Sequence, residues 1–290
     1  MRIKPSTEEL RPTEGAGKKA AGILATLGIL IVKFFGALKG LLLPLLKFGA
    51  PLWKVGLIAL KTGGTMLATM WIYATIWGWQ FAAGFVILIL FHECGHLIAA
   101  RQLGLKVGAP VFIPFMGAFI ALKEAPRDAW VEAWVGIGGP LLGAFASLVC
   151  HSLGEMFDMP VLIAIASTGY WLNLFNLCPI GTLDGGRVVT ALSPWFWLPG
   201  LGVMGWLAIT RPNFLIILIL IMSLPRVFSL FRAKTEAEQR YFEVPTAKRW
   251  LIGGLYFGLI AALGLAMIVA HEQLEARHPV RRPAQVQSVW

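Results

Sequence analysis

The sequence predicts an all-α polytopic membrane protein. It should have six to seven membrane helices and a short extended, β-hairpin-like insertion after the helix that carries His92 and His96. Three observations carry this reading. Of 290 residues, 57% are hydrophobic and only 14% charged, where an ordinary soluble domain carries about 25% charged residues. Apolar runs of roughly 20 residues, the length a bilayer-spanning helix needs, recur along the chain. The 12 tryptophans suit the interfacial zones, where an amphipathic ring is favoured.

The formal net charge of +10 would point to nucleic acid in a soluble chain. Here the basic residues cluster at the ends and between apolar runs. Contact with the lipid bilayer and orientation of the helices account for them, and no nucleic-acid partner is expected. Both ends are expected to be cytoplasmic, in a multi-pass protein of a bacterial cell membrane. The three cysteines, Cys94, Cys150 and Cys178, lie in apolar surroundings; an odd number without paired spacing argues against a disulfide framework.

Residues 1–19 are polar and read as a disordered tail without the features of a signal peptide. Residues 20–62 are apolar yet carry Lys33, Lys39, Lys47, Lys54 and Lys61, which fall in an arc of about 120° on one helical face. That stripe predicts an interfacial amphipathic helix, kinked or divided at Pro44 and Pro51; one or two spanning helices with snorkelling lysines are the other reading. Residues 64–90 predict a short membrane segment that breaks near Gly78 and Gln80 and leads into the helix of the histidines. In residues 105–123, Pro110, Pro114 and Gly117 punctuate a Val-, Phe- and Ile-rich stretch, which favours short strands or a re-entrant hairpin. Its edges cannot face lipid, so it should pack against helices or line a water-filled cavity. Helices are expected at 130–153, 160–178, 195–210, 213–231 and 249–271, the first with Gly136, Gly139 and Gly143 on one face for close contact. A charged loop (232–248) precedes the final membrane helix (249–271), and a basic tail (272–290) comes after it.

The chemistry centres on His92-Glu93-Cys94-Gly95-His96. Residues four apart lie on one helical face, so both imidazoles can bind one metal. Glu93 sits beside them without being a ligand, where a general base for a metal-activated water belongs. The preceding run GFVILILF is strongly apolar, and ionisable groups at membrane depth are expensive and usually functional. The bland reading is a helix end meeting head groups.

A catalytic zinc site typically has three protein ligands and an open position. Spacing leaves several candidates for the third: Asp184, His151, His271, His278 and Glu132. Asp184 leads, because Pro179 ends the preceding helix and the glycines after it allow a tight turn; an ordinary Asp-Gly turn is its bland reading.

HECGH in an apolar helix followed by NLCPIGTLDG resembles the site-2 protease family of intramembrane metalloproteases. That family carries H-E-x-x-H on one membrane helix and N-x-x-P-x-x-x-L-D-G on a later one, and both patterns match here at every fixed position. The likeness covers about residues 80–190, within a protease core placed at 64–231. It implies one Zn2+ per chain held by His92, His96 and Asp184, with Glu93 as catalytic base. It further implies cleavage of a transmembrane segment of another membrane protein, often after a first cut outside the membrane. Asn176 matches the motif asparagine, a candidate for binding the substrate backbone or oxyanion; pairing with Asn173 in helix–helix hydrogen bonds is its other reading. No insertion is long enough for a PDZ domain, and the lysine stripe is not explained by the resemblance. Other divalent metals suit the same ligands. A membrane metal-binding protein or transporter using the same three residues is the competing function; it has no need of Glu93.

Overall fold

The computed structural model describes residues 33, 36, 39, 60–115, 117–120, 124–232 and 235–277. The chain divides into two units, Met1–Ala59 and Leu60–Trp290. In the first, Lys33 and Lys39 are helical and exposed. The expected disorder of 1–19, Lys47 and Lys54, the kinks at Pro44 and Pro51, and the tail with His278 lie outside the described residues.

In the second unit, helix α1 occupies residues 60–77 and α2 runs Trp79–Gln102. Gly78 separates them with φ 83° and ψ 157°, a region that essentially only glycine occupies. The break predicted near Gly78 is therefore a backbone break at a residue that can make it. Two three-residue strands come next, β1 (Val111–Ile113) and β2 (Gly117–Phe119), paired antiparallel with Phe112 opposite Ala118. The hairpin does pack on helices. Phe112 and Ala118 are buried with Tyr73, Phe85 and Val86. The outer side of β1 is satisfied by a polar stripe on α1. The Thr62 hydroxyl donates to the Pro110 carbonyl at 2.9 Å, the Phe112 N–H donates to Thr65 Oγ1 at 3.2 Å, and the Phe115 N–H donates to the Tyr73 hydroxyl at 2.9 Å.

Helix α3 (Ala129–Met156) starts on Asp128, whose side chain accepts the Val131 N–H, and runs through Pro140 without ending. Helix α4 (Pro160–Asn176) begins on a proline, where a missing N–H is harmless. Helix α5 (Asp184–Leu192) corrects the sequence reading: the motif predicts Asp184 on a turn between helices, and it is instead the first residue of a short helix. The turn occupies residues 177–183. A 3₁₀ segment (Pro194–Phe196) leads into α6 (Trp197–Thr210) and α7 (Phe214–Phe228). The expected charged loop contains α8 (Glu236–Tyr241), started by a capping box between Thr235 and Glu238. The last helix, α9 (Thr246–Arg277), is longer at both ends than predicted.

Helices α2, α3, α4 and α9 pack successively around a core of Ile137, Ile163, Tyr170, Val188, Ile252 and Tyr256, with α5 tucked against α3. Among the described residues, three helices are long and apolar enough to cross a membrane: α2 with 24 residues, α3 with 28 and α9 with 32. Helices α4, α6 and α7 have 17, 14 and 15 residues, hence lengths of about 21 to 26 Å, short of the ~30 Å hydrocarbon core. Large apolar side chains face outward along the bundle, among them Phe145, Ile209, Phe214 and Trp250, at 62%, 83%, 78% and 78% exposure. That surface is built for an apolar solvent rather than water.

Candidate metal centre

His92 and His96 lie one turn apart on α2, both buried, with ring centroids 4.8 Å apart and planes at 81°. Asp184 reaches them from α5, also buried. Their facing atoms form a nearly equilateral triangle. His92 Nε2 is 3.1 Å from His96 Nε2 and 3.1 Å from Asp184 Oδ2, and His96 Nε2 is 3.2 Å from the same oxygen. Ligands about 2.05 Å from a tetrahedral metal stand about 3.3 Å from one another, so the triangle has the right size for one.

The second ring nitrogens decide what those atoms are. His96 Nδ1 lies 2.8 Å from the Val135 carbonyl, which can only accept, so Nδ1 carries the proton. The amide of Asn173 donates to the Gly169 carbonyl at 2.7 Å, which turns its oxygen toward His92 Nδ1 at 2.9 Å; Nδ1 of His92 is therefore also the donor. Both Nε2 atoms then present lone pairs. Three electron-rich atoms converge on one point, an arrangement that is repulsive unless a cation occupies it. Among the described residues this is the group of histidine, cysteine and acidic side chains that could hold a metal.

The close fit depends on glycine. A Cβ on Gly139 would lie 2.2 Å from His96 Nε2, and one on Gly143 would lie 2.3 Å from Asn173 Oδ1. Gly95 and Gly138 meet backbone to backbone, where a Cβ on Gly95 would stand 2.1 Å from the Gly138 carbonyl oxygen. Of the glycine face predicted on α3, Gly139 and Gly143 thus back the imidazole and the asparagine. Gly136 lies against the start of α5, at the Asp184 carbonyl and Arg187.

Glu93 is buried at 7% exposure and takes no hydrogen bond from the described residues. It lies within electrostatic range of His92, His96, Asp184 and Arg187. Arg187, one turn after Asp184, brings Nη1 to 3.9 Å from Asp184 Oδ1.

The other candidates for third ligand have different work. His151 sits between Tyr170 and Gln273, at 3.2 and 2.8 Å. Glu132 pairs with Arg226 and accepts from Tyr241. His271 is on the surface beside Glu275. The two asparagines divide: Asn176 donates to Leu172 of its own helix at 3.0 Å, while Asn173 touches the site. Asn173, Val135 and Arg187 are the residues sequence reasoning did not place there. An amide in an otherwise apolar helix was the available signal for Asn173; a main-chain carbonyl leaves none for Val135. Cys94 is half-buried, and Cys178 and Cys150 are free thiols.

An HExxH helix joined to a distant aspartate inside an apolar bundle defines a class of site, a buried three-residue group that could hold a metal ion. Similarity to known proteins agrees with the resemblance drawn from the two motifs. Residues 80–159 match the family model described as Peptidase family M50. A zinc metalloprotease of Methanocaldococcus jannaschii is 30% identical over 121 residues, 40% of this chain and 34% of that protein. An Arabidopsis thaliana chloroplastic protein named as a probable zinc metalloprotease is 28% identical over 155 residues, 37% of this chain and 28% of its own length. The chain thus covers about a third of the length of these relatives. A site-2 protease structure from Methanocaldococcus jannaschii aligns with a TM-score of 0.38 at 21% identity, over 62% of this chain and 88% of that one.

Proposed function

We propose that the chain is a multi-pass intramembrane zinc metalloprotease that hydrolyses peptide bonds in or near transmembrane segments of other membrane proteins. The observation that carries the reading is the convergence of three lone pairs on one buried point beside an unengaged carboxylate. His92, His96 and Asp184 would hold the metal, and the relatives' names make zinc the metal of choice. When bound, zinc supplies Lewis acidity and brings a water's pKa toward about 7. Glu93 takes the proton from the attacking water and returns it to the leaving amine; with no hydrogen-bonding partner among the described residues, it is free to do so. Asn176 uses one amide N–H on Leu172 and keeps a second for a substrate carbonyl or developing oxyanion. A helical substrate has its backbone hydrogen bonds satisfied and must unwind locally. The hairpin at residues 111–119 offers an extended partner for the unwound strand.

The test is a proteolysis assay on a membrane-segment substrate together with metal analysis. Glu93→Gln is expected to keep one metal per chain and lose at least about a hundredfold in cleavage rate. Asp184→Asn is expected to lose the metal itself. Wild-type cleavage by Glu93→Gln would overturn the reading. So would a metal-loaded protein that cleaves nothing yet moves metal across vesicles.

A further inference from the structure

The start of α3 touches both halves of the metal site. Val135 holds His96 through its carbonyl. One turn earlier, Glu132 is buried at 4% exposure, and its carboxylate pairs with Arg226 near the end of α7. Burying such a charge is costly unless it is fully partnered. Here the second oxygen accepts the Tyr241 hydroxyl at 2.7 Å. Burial of that phenol, then the adjacent Glu132 carboxylate, push its pKa well above the ordinary value, so it stays a donor.

Arg226 places its other arm on the turn that presents Asp184. Its Nη1 donates to the Gly181 carbonyl at 2.9 Å. The aliphatic stem lies over Gly181 so closely that a Cβ there would stand 2.7 Å from the arginine Cδ. One turn back on α7, Ser223 meets Thr182 of the same turn at 3.2 Å. The guanidinium also sits 5.6 Å from the ring of Trp197, whose indole N–H donates to the Gly186 carbonyl at 3.0 Å. The turn has neutral anchors too, such as the Tyr256 hydroxyl on the Leu177 carbonyl. The arginine is what ties it, through Glu132, to the helix that orients His96.

We propose that Glu132 and Arg226 are positioning residues for the metal centre, fixing the 177–183 turn so that Asp184 closes the triangle with the two histidines. This rests on the reading of Asp184 as third ligand. Helix α3 then sets two ligands that arrive from different elements: His96 by a direct bond to Val135, and Asp184 by the relay Glu132, Arg226, Gly181. A role confined to holding the bundle together would weaken folding and leave the affinity of the folded protein for metal unchanged.

The experiment uses the full chain in detergent micelles, with cobalt(II) as probe, read by its visible absorption, and zinc binding by competition. Glu132→Gln, Arg226→Met and Tyr241→Phe are compared with wild type and Asp184→Asn, each checked for helical content and for melting of the metal-free protein. Glu132→Gln and Arg226→Met are expected to bind about 10- to 100-fold more weakly, the cost typical of removing a group that orients a ligand, with an altered cobalt spectrum. Tyr241→Phe removes one hydroxyl, tests the relay if the charge variants do not fold, and should weaken binding less. Arg226→Lys, which keeps the charge but not the fork, should recover only part of the loss. Wild-type affinity and spectrum in the folded Glu132→Gln, Arg226→Met or Tyr241→Phe proteins, with metal lost in Asp184→Asn, would overturn this proposal alone. Wild-type affinity in Asp184→Asn would overturn it together with the ligand assignment.

Discussion

At the scale of single residues, the proposed metal centre is governed by protons that its ligands would not share with the metal. Asn173 matters because its own donation to Gly169 leaves only its oxygen for His92. Replacing it with leucine keeps an apolar helix but frees the imidazole to rotate or to protonate Nε2. Asn173→Leu is expected to weaken zinc binding about 10- to 100-fold while α4 stays helical; isothermal titration beside circular dichroism measures both, and unchanged affinity would remove Asn173 from the site. This residue also marks the limit of what the sequence disclosed. His92, Glu93 and His96 were legible because a helix fixes the geometry of an i, i+4 pair. Asp184 was one of five candidates on spacing alone, since no local rule connects two segments 92 residues apart. His151 and Glu132 stood behind it on spacing, and the structure shows Tyr170 and Gln273 beside the one and Arg226 and Tyr241 beside the other.

At the scale of elements, the break at Gly78, the hairpin and the starts of α3 and α4 were readable because each has a local cause: a positive φ, a proline-punctuated β-rich stretch, a cap, a proline at a first turn. Helix α5 was not. Its run DGGRVVTAL opens with two glycines and reads as a turn, yet those glycines are what let the helix start against the preceding turn. A Cβ on Gly186 would lie 1.8 Å from the Ile180 carbonyl oxygen, so tertiary packing overrides propensity there. The hairpin gives a prediction at this scale. Gly117 has φ +90°, and a side chain there costs on the order of 1–3 kcal/mol in backbone strain, borne by the strand rather than by the metal site. Gly117→Ala is expected to lower turnover of a helical transmembrane substrate severalfold and leave metal content intact. Pro110, whose carbonyl is held by Thr62, should behave alike when mutated. Equal loss of cleavage and metal in a substrate assay paired with metal analysis would deny the hairpin a substrate role.

At the scale of the whole molecule, the apolar exterior was foretold by composition, whereas of the six to seven membrane helices expected the described residues contain three of spanning length; the short helices were expected to be longer because their apolar runs continue into turns. The site itself exists only when the bundle is assembled. Two of the proposed ligands come from α2 and one from α5, and α3 lies between them with Gly139 against His96 and Gly136 against the Asp184 carbonyl. In the unfolded chain these groups are far apart, so metal should bind the folded state almost exclusively. Folding and metal binding are then linked: free metal at a hundred times its dissociation constant adds about 2.7 kcal/mol of stability, which for a unit of this size is a rise of about 5–10 °C in melting temperature. Chelation of the wild-type protein in detergent should lower its thermal midpoint by that amount, and readdition of zinc should restore it. Asp184→Asn should already melt near the chelated value and ignore the chelator, whereas Glu93→Gln, which keeps every ligand, should follow wild type. A wild-type midpoint indifferent to chelator would mean that the three converging lone pairs are neutralised by something other than a metal, such as a proton shared between Asp184 and an imidazole.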